Sequence, residues 1–504
     1  MRIECAEERD SSFTIPIALT DAIAAARARA QDKIVFVGFR VELSCQRCES
    51  SGNAAHHGYG MTAMRLGFNL GLLRTGWSTI VTIPRALKIV IVTQYYKPEN
   101  AKIPNSIAQS LAQRGHEVRV VTGYPNYPEG RLYSGFRQKL VHHENDGLVQ
   151  VRRVPLVVSH SQNPVARFAN YVSFALSSLC AGRFVRHADA VYVYATQMTA
   201  AFAPSVWSRT KGIPFVLHIQ DLWPESVSGS SMVRGGFLKK SVEAILRPWL
   251  SAVYRRSAAV IAIAPTMRQM LVERGVDERK LHTVLNWAEE RVGQRCQADL
   301  GQLGAHVSTL SVVYAGNLGE LQDLETVVRA AAQVKDLTDF TLTLVGAGVA
   351  EPRLKRLAIE LDATNVVFRG YVPFGEMGDI YASSDFQMVS LADLRIFRGT
   401  IPSKFQESLA NGIPVITTAA GDVSDIVLGS QIGLVSAPGD VDGLVATFRA
   451  ASALTTNERR AMGKNARNYY LAEMSMKSGT DRIEEILAGV ANFPSRKRHN
   501  DTQL

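Results

Sequence analysis

From Leu87 onward, apolar and polar positions fall into blocks whose period switches between two and 3.6. Lys88-Ile-Val-Ile-Val-Thr93 is a continuous β-branched run that predicts a buried strand. A helix follows from about Pro104, because proline suits a first helical turn. Arg114-Gly115-His116-Glu117 ends that helix and turns the chain into a second apolar run, Val118–Val121. Further strands are predicted at Val191–Tyr194, Phe215–Ile219 and Val260–Ile263, with helical stretches between them, so the pattern is βαβ and the sheet parallel. The alternation restarts after a polar interval near Gln294–Ser308. Strands are expected at Leu310–Ala315, Thr341–Val345 and Val415–Ile416, with helices at Leu321–Lys335 and Lys404–Asn411. Two long helices, Asn457–Leu471 and Met476–Val490, close the pattern and suit a return across the hinge between the two halves.

The pattern divides the chain into an appendage without regular structure (1–86), a first Rossmann-like domain (87–290), a linker (291–308), a second Rossmann-like domain (309–475) and a terminal helix with a basic tail (476–504). Within the appendage, the apolar run Leu66–Pro84 is interrupted by Asn69, Arg74 and three glycines, which argues against an export signal or anchor; Met61 or Met64 would equally serve as a start. Ligands in open α/β sheets bind beyond the carboxyl ends of the strands, so the expected site is the cleft between the domains.

Charge sharpens this picture. The formal charge of the chain is +10, with about +11 over residues 88–290, about −4 over 301–504 and the remainder outside these two stretches. A basic first half suits an anionic partner, and without a nucleic-acid-binding signature that partner is a phosphorylated substrate or an anionic membrane leaflet. Phe168–Leu179 is apolar and flanked by Arg167, Arg183 and Arg186, while Lys239, Lys240, Arg247, Arg255 and Arg256 punctuate another helix. Such helices lie on a leaflet or pack in a core, and neither is long enough to span. The five cysteines are few and odd in number, which fits a reducing compartment. Cys45-Gln-Arg-Cys48 with His56 and His57 resembles half a zinc site, but no second ligand pair completes it and no metal is expected.

The strongest chemical signal is Pro402-Ser-Lys-Phe-Gln-Glu-Ser-Leu-Ala-Asn-Gly-Ile-Pro-Val-Ile416. A helix starting near Ser403 offers free N–H groups to a phosphate, Lys404 adds a formal charge, and Glu407 lies one turn later, where a carboxylate accepts ribose hydroxyls. This stretch resembles the nucleotide-sugar signature of retaining GT-B glycosyltransferases of family 4. Gln94–Asn100, Arg114–Val118, Thr122–Pro128 and His218–Glu225 agree with that family in order and spacing, specifically with its subgroup building bacterial O-antigen, capsule and colanic-acid-type polysaccharides. The resemblance covers roughly residues 87–490.

The resemblance implies the GT-B fold, two Rossmann-like domains with parallel sheets facing across a cleft. It also implies transfer with retention from a nucleotide diphosphate sugar to a lipid-linked, polyprenyl-type or other glycan acceptor, without metal or cofactor, by a cytoplasmic enzyme at the inner face of the plasma membrane. His218 matches the family's active-site histidine. Gly316, Asn317 and Gly319 match the turn that lets backbone approach a diphosphate, and Gly346 the loop after the next strand; both also read as plain structural turns. Lys404 and Glu407 complete the donor site, and a basic residue common near the 316–319 turn in the family is missing. Glu99, Asn100, Asp221 and Glu225 are candidates for the acceptor side, the last two reading equally as helix N-terminal carboxylates. One position departs from the family: Gly399 stands where it carries a first glutamate reading the donor sugar, with Asp393, Arg395 and Arg398 nearby. Two other functions share the fold, a nucleotide-sugar epimerase and a non-catalytic sugar-nucleotide-binding subunit.

Overall fold

The computed structural model describes residues 85–159, 164–223, 236–289 and 310–492. The appendage, the linker and the basic tail lie outside these residues, apart from Arg85 and Ala86.

The first half is an eight-stranded sheet in the order β3-β4-β2-β1-β5-β6-β7-β8. Its strands are β1 (Lys88–Val92), β2 (Glu117–Gly123), β3 (His142–Asp146), β4 (Val149–Val154), β5 (Ala190–Ala195), β6 (Phe215–Ile219), β7 (Ala259–Ala262) and β8 (Leu281–Thr283). The connecting helices are α1 (Lys102–Gln113), α2 (Pro164–Ser178), α3 (Phe202–Lys211), α4 (Gly236–Arg256) and α5 (Pro265–Glu273). All pairings are parallel except β3 with β4. That hairpin departs from the all-parallel expectation, and Asn145-Asp146-Gly147 carries it, because Gly147 takes the positive φ of 61° that a tight hairpin requires. Strands β1 and β5–β7 are buried almost throughout, consistent with helices on both faces.

The second half is a six-stranded parallel sheet in the order β11-β10-β9-β12-β13-β14. It comprises β9 (Leu310–Ala315), β10 (Phe340–Val345), β11 (Val366–Gly370), β12 (Phe386–Val389), β13 (Val415–Thr417) and β14 (Gly433–Val435). Its helices are α6 (Leu324–Ala332), α7 (Glu351–Glu360), α8 (Met377–Ala382), α9 (Ser403–Ala410), α10 (Asp422–Gly429), α11 (Val441–Ala453) and α12 (Thr456–Tyr469). A five-residue π turn, Tyr470–Met474, separates α12 from α13 (Met476–Asn492).

Helix α13 leaves the second half and packs on the first. Ile483, Leu487 and Val490, spaced for one helical face, are buried in the cluster that holds Ile89, Ile91 and Tyr192. Each such side chain contributes roughly 1.5–3 kcal/mol of burial. Gly479 is required here: a Cβ would stand 2.2 Å from the Trp287 ring. His116, itself buried, accepts the Leu87 N–H at Nδ1 (3.1 Å) and meets Glu484 Oε1 through Nε2 (2.8 Å), while Arg114 bonds Glu484 (2.5 Å) and Asp481 (2.7 Å).

The two halves also meet directly. Met267, Met270 and Leu271 of α5 share one apolar cluster with Leu391, Ile401 and Val423. Asp422, at the start of α10, accepts the Thr266 N–H (2.9 and 3.1 Å) and its hydroxyl (2.8 Å), and Arg395 pairs with Glu273 at 2.6 Å. Gly399 is buried in this seam, where a Cβ would lie 2.8 Å from Met267 N.

Candidate functional site

Two glycine turns follow β9 and β10 at the carboxyl edge of the second sheet, and they pack back to back. Gly316 donates to Val345 O (2.9 Å), Leu318 to Ala347 O (3.0 Å) and Ala350 to Leu318 O (2.9 Å). A Cβ on Gly346 would come within 1.8 Å of Gly316 O, and one on Gly348 within 2.3 Å of Leu318 O. Close approach of two backbones therefore requires these glycines before any ligand is considered. Gly316 and Asn317 remain exposed, while Gly319 is buried.

The turns form one wall of a cavity of about 380 Å³ lined by Gly316, Asn317, Gly346, Tyr371, Tyr381 and Glu407, with apolar floor residues Ala315, Val345 and Met377. Helix α9 supplies the opposite wall. Its N-cap Pro402 gives no side-chain cap, and with the Phe405 and Gln406 N–H groups turned back on Pro402 O, the Ser403 and Lys404 N–H groups and the positive dipole end stay available. Lys404 lies over the Tyr314 ring, Nζ 3.9 Å from its centroid, and donates to the Tyr314 hydroxyl at 2.5 Å. That hydroxyl donates onward to Asn317 O (2.8 Å), tying the lysine to the first turn. Burial pushes the Lys404 amine down to about 7, against an opposing pull from Glu407. Glu407 accepts the Tyr381 hydroxyl at 3.1 Å, and Lys102 of the first half stands 3.8 Å from its other oxygen and 3.3 Å from Glu289.

The candidates assigned to the first half fall elsewhere. His218 is fully buried in β6, its Nδ1 paired with the Tyr192 hydroxyl and the Tyr194 ring edge-on at 5.7 Å. Desolvation pushes it down to about 3, so the imidazole is neutral, and its Nε2 has no partner. Glu99, expected on the acceptor side, is 2% exposed and accepts the N–H groups of Asn126 and Tyr127 at 2.8 Å. It clamps the 124–127 loop, and burial holds its carboxyl above the ordinary range despite those bonds. Asn100 is exposed beside it. Asp221 is exposed just past β6, and the protein mass around it raises its carboxyl. Glu225 lies outside the described residues, as do Cys45, Cys48, His56 and His57.

Thus Gly316, Asn317, Gly346 and Glu407 line one cavity, Lys404 stands beside it against Gly316 and Tyr314, Gly319 stands behind the first turn, and His218 and Glu99 do not line that cavity. Tyr314, Tyr371, Tyr381 and Lys102 complete the site without having been singled out in the sequence. Only their positions near the ends of strands and helices could have marked them. Among the described residues there is no group of three or more His, Cys, Asp or Glu placed to hold a metal.

Helix α2 divides its apolar residues between core and surface. Phe174 is buried, whereas Phe168 and Leu176 are half-exposed, as is Val157 on the preceding segment, with Arg183 and Arg186 exposed just beyond the helix. No helix among the described residues is long and apolar enough to cross a membrane.

Residues 101–287 match the family described as "Glycosyl transferase 4-like domain", and residues 300–469 the family "Glycosyl transferases group 1". A curated relative, WcaI of Escherichia coli (strain K12), named for colanic acid biosynthesis as a glycosyl transferase, is 28% identical over 72% of this chain and 92% of its own. Among solved structures, the sucrose-phosphate synthase of Thermosynechococcus elongatus superposes with a TM-score of 0.58 (16% identity, covering 80% of this chain and 99% of that one). HepE of Anabaena in complex with UDP and glucose gives 0.54 (15%, 80% and 99%). These likenesses establish the GT-B fold, and two glycosyltransferase families matched in order along both halves make the chain a GT-B glycosyltransferase of family 4.

Proposed function

We propose that the protein transfers a sugar, with retention of anomeric configuration, from a nucleotide diphosphate sugar to a glycan acceptor in bacterial surface polysaccharide biosynthesis. The observation that carries this reading is the convergence of Lys404, Glu407 and the α9 N-terminus on the two glycine turns. Lys404 and the helix N–H groups would take the diphosphate, Glu407 the ribose hydroxyls, and the exposed Tyr371 ring at the cavity rim would stack on the base. Charge developing on the leaving diphosphate would be met by preorganised donors, so no metal is required for that step. HepE, with UDP and glucose in its complex, supports the donor class, and WcaI supports the polysaccharide setting.

For the acceptor, the basic first half and the exposed Phe168 and Leu176 favour a lipid-linked glycan at an anionic membrane face. Reversible, salt-sensitive sedimentation with anionic vesicles is expected, and equal binding to neutral vesicles would remove that part of the reading.

The test of transfer is incubation with UDP- and GDP-sugars plus lipid-linked oligosaccharide, followed by NMR of the new linkage. Transfer with the donor's configuration kept supports the reading. Conversion of UDP-N-acetylglucosamine without acceptor would mean an epimerase, and nucleotide binding without any turnover a non-catalytic subunit.

A further inference from the structure

A lysine, Lys404, stands beside the candidate donor cavity against Gly316, and its surroundings are unusual for a cation meant to be permanently charged. Lys404 is largely enclosed, its stem against Gly316 and its amine against the face and hydroxyl of Tyr314. Gly316, held at a φ of 146°, packs beside the pair: a Cβ there would lie 3.5 and 3.6 Å from Lys404 Cε and Nζ and 4.0 Å from the Tyr314 hydroxyl, ordinary contact distances.

The Tyr314 ring face and the charge of Glu407 favour the ammonium, but burial outweighs them and few hydrogen-bond acceptors surround the amine. From β9 comes Tyr314, whose single proton is committed to Asn317 O, so its oxygen acts only as an acceptor. From α9 itself comes Glu407, which is engaged by the Tyr381 hydroxyl from α8 and approached by Lys102 from α1. From α12 comes Arg467, which bonds Ala410 O at the far end of α9. An ammonium has three protons to donate, and a neutral phenol oxygen is the one bonded acceptor seen for it.

We propose that Lys404 waits in the empty site largely as a neutral amine and takes up a proton from solvent as the donor's diphosphate arrives, with Tyr314 the positioning residue that holds the amine at that seat. This rests on the donor site proposed above. The diphosphate brings two negative charges and several acceptor oxygens, which supply the partners the ammonium lacks. Nζ gains one proton from the buffer, and no other bond changes. Burial already sets the amine near 7 in the free protein. Bound phosphate moves its pKa upward, so above about pH 7 the bound form carries more protons than the free form and affinity falls as pH rises. Well below pH 7 both forms are protonated and the linkage vanishes.

The experiment is calorimetric titration with UDP-glucose and GDP-mannose, whose diphosphate diesters do not titrate near neutrality, in buffers of different ionisation enthalpy at pH 6 and pH 8. The expected result is uptake of roughly half to one proton at pH 8 and little at pH 6, with affinity about ten-fold weaker at pH 9 than at pH 7. Lys404→Met should bind more weakly and lose the pH 8 uptake. Tyr314→Phe keeps the ring and removes the hydroxyl, so it should weaken pH 8 binding about ten-fold and pH 6 binding much less, a pH-dependent split that simple loosening of the fold would not give. Binding without proton uptake, or uptake retained in Lys404→Met, would overturn the inference and leave the donor site standing. Failure of both nucleotide sugars to bind at either pH would remove the donor site and this inference with it.

Discussion

Placing a side chain on Gly399 is expected to wedge the two halves apart. The position is buried in the seam, and even a methyl group would stand 2.8 Å from Met267 N and 3.3 Å from Met267 Cα, both backbone atoms that cannot swing away. Overpacking of this kind costs about 1–3 kcal/mol. The adjacent Thr266 carries three bonds to Asp422, and hydrogen bonds to a charged group contribute roughly 1.5–3 kcal/mol, so a backbone shift at Met267 threatens these as well. Gly399→Ala should therefore lower Tm by about 3–10 °C in a calorimetric or fluorescence melt. Gly399→Glu, which introduces the residue type that the family resemblance implies at this position, should be worse in stability and no better in transfer. Because Thr266 and Met267 are neighbours, Gly399→Ala and Asp422→Ala should combine non-additively. An unchanged melt for Gly399→Ala, or a stable and more active Gly399→Glu, would refute the reasoning that this glycine is kept for packing.

Three other outcomes are expected. Gly346→Ala, which drives a methyl group to within 1.8 Å of Gly316 O at a φ of 135°, should cost roughly 2–5 kcal/mol, read as loss of soluble protein or a collapsed melt. Tyr371→Ala should weaken nucleotide binding by about 1–3 kcal/mol with an unchanged melt, because the exposed ring supports little else. Deleting residues 476–504 should yield aggregated protein, since it uncovers the apolar face that receives Ile483, Leu487 and Val490 and leaves the buried His116 without Glu484; a soluble monomer of normal melt would contradict the docking of α13.

Most of the strands that the sheets bury on both faces were legible in the sequence. Strand β12, buried throughout between β9 and β13, was not among those expected, because Gln387 and the polar Ser383-Ser384-Asp385 before it break its apolar run. Ile89–Val92, Val191–Tyr194 and Phe215–Ile219 announce themselves by continuous apolar runs, whereas β3 and β11 alternate weakly at sheet edges, and β8 and β14 are three residues long. The nearness of Lys404 and Glu407 to each other was legible because they lie three apart on one helix, a local relation. Roles set by distant segments were not. Nothing local to Glu99 announces the Asn126 and Tyr127 N–H groups it accepts, and nothing local to His218 announces the Tyr192 hydroxyl and the Tyr194 ring beside it. Tyr314 reads as one more apolar strand position, and only the crossing of β9 by α9, ninety residues later, gives its hydroxyl to Lys404.

The central claim, a nucleotide diphosphate sugar held between the glycine turns and α9, is tested most directly by calorimetric titration of the intact protein and of Lys404→Ala and Glu407→Ala with UDP, GDP and their sugars. One-to-one binding of at least one nucleotide is expected, weakened by roughly 1–3 kcal/mol in each variant. Absence of binding by all of them, or unchanged affinity in both variants, would contradict the assignment.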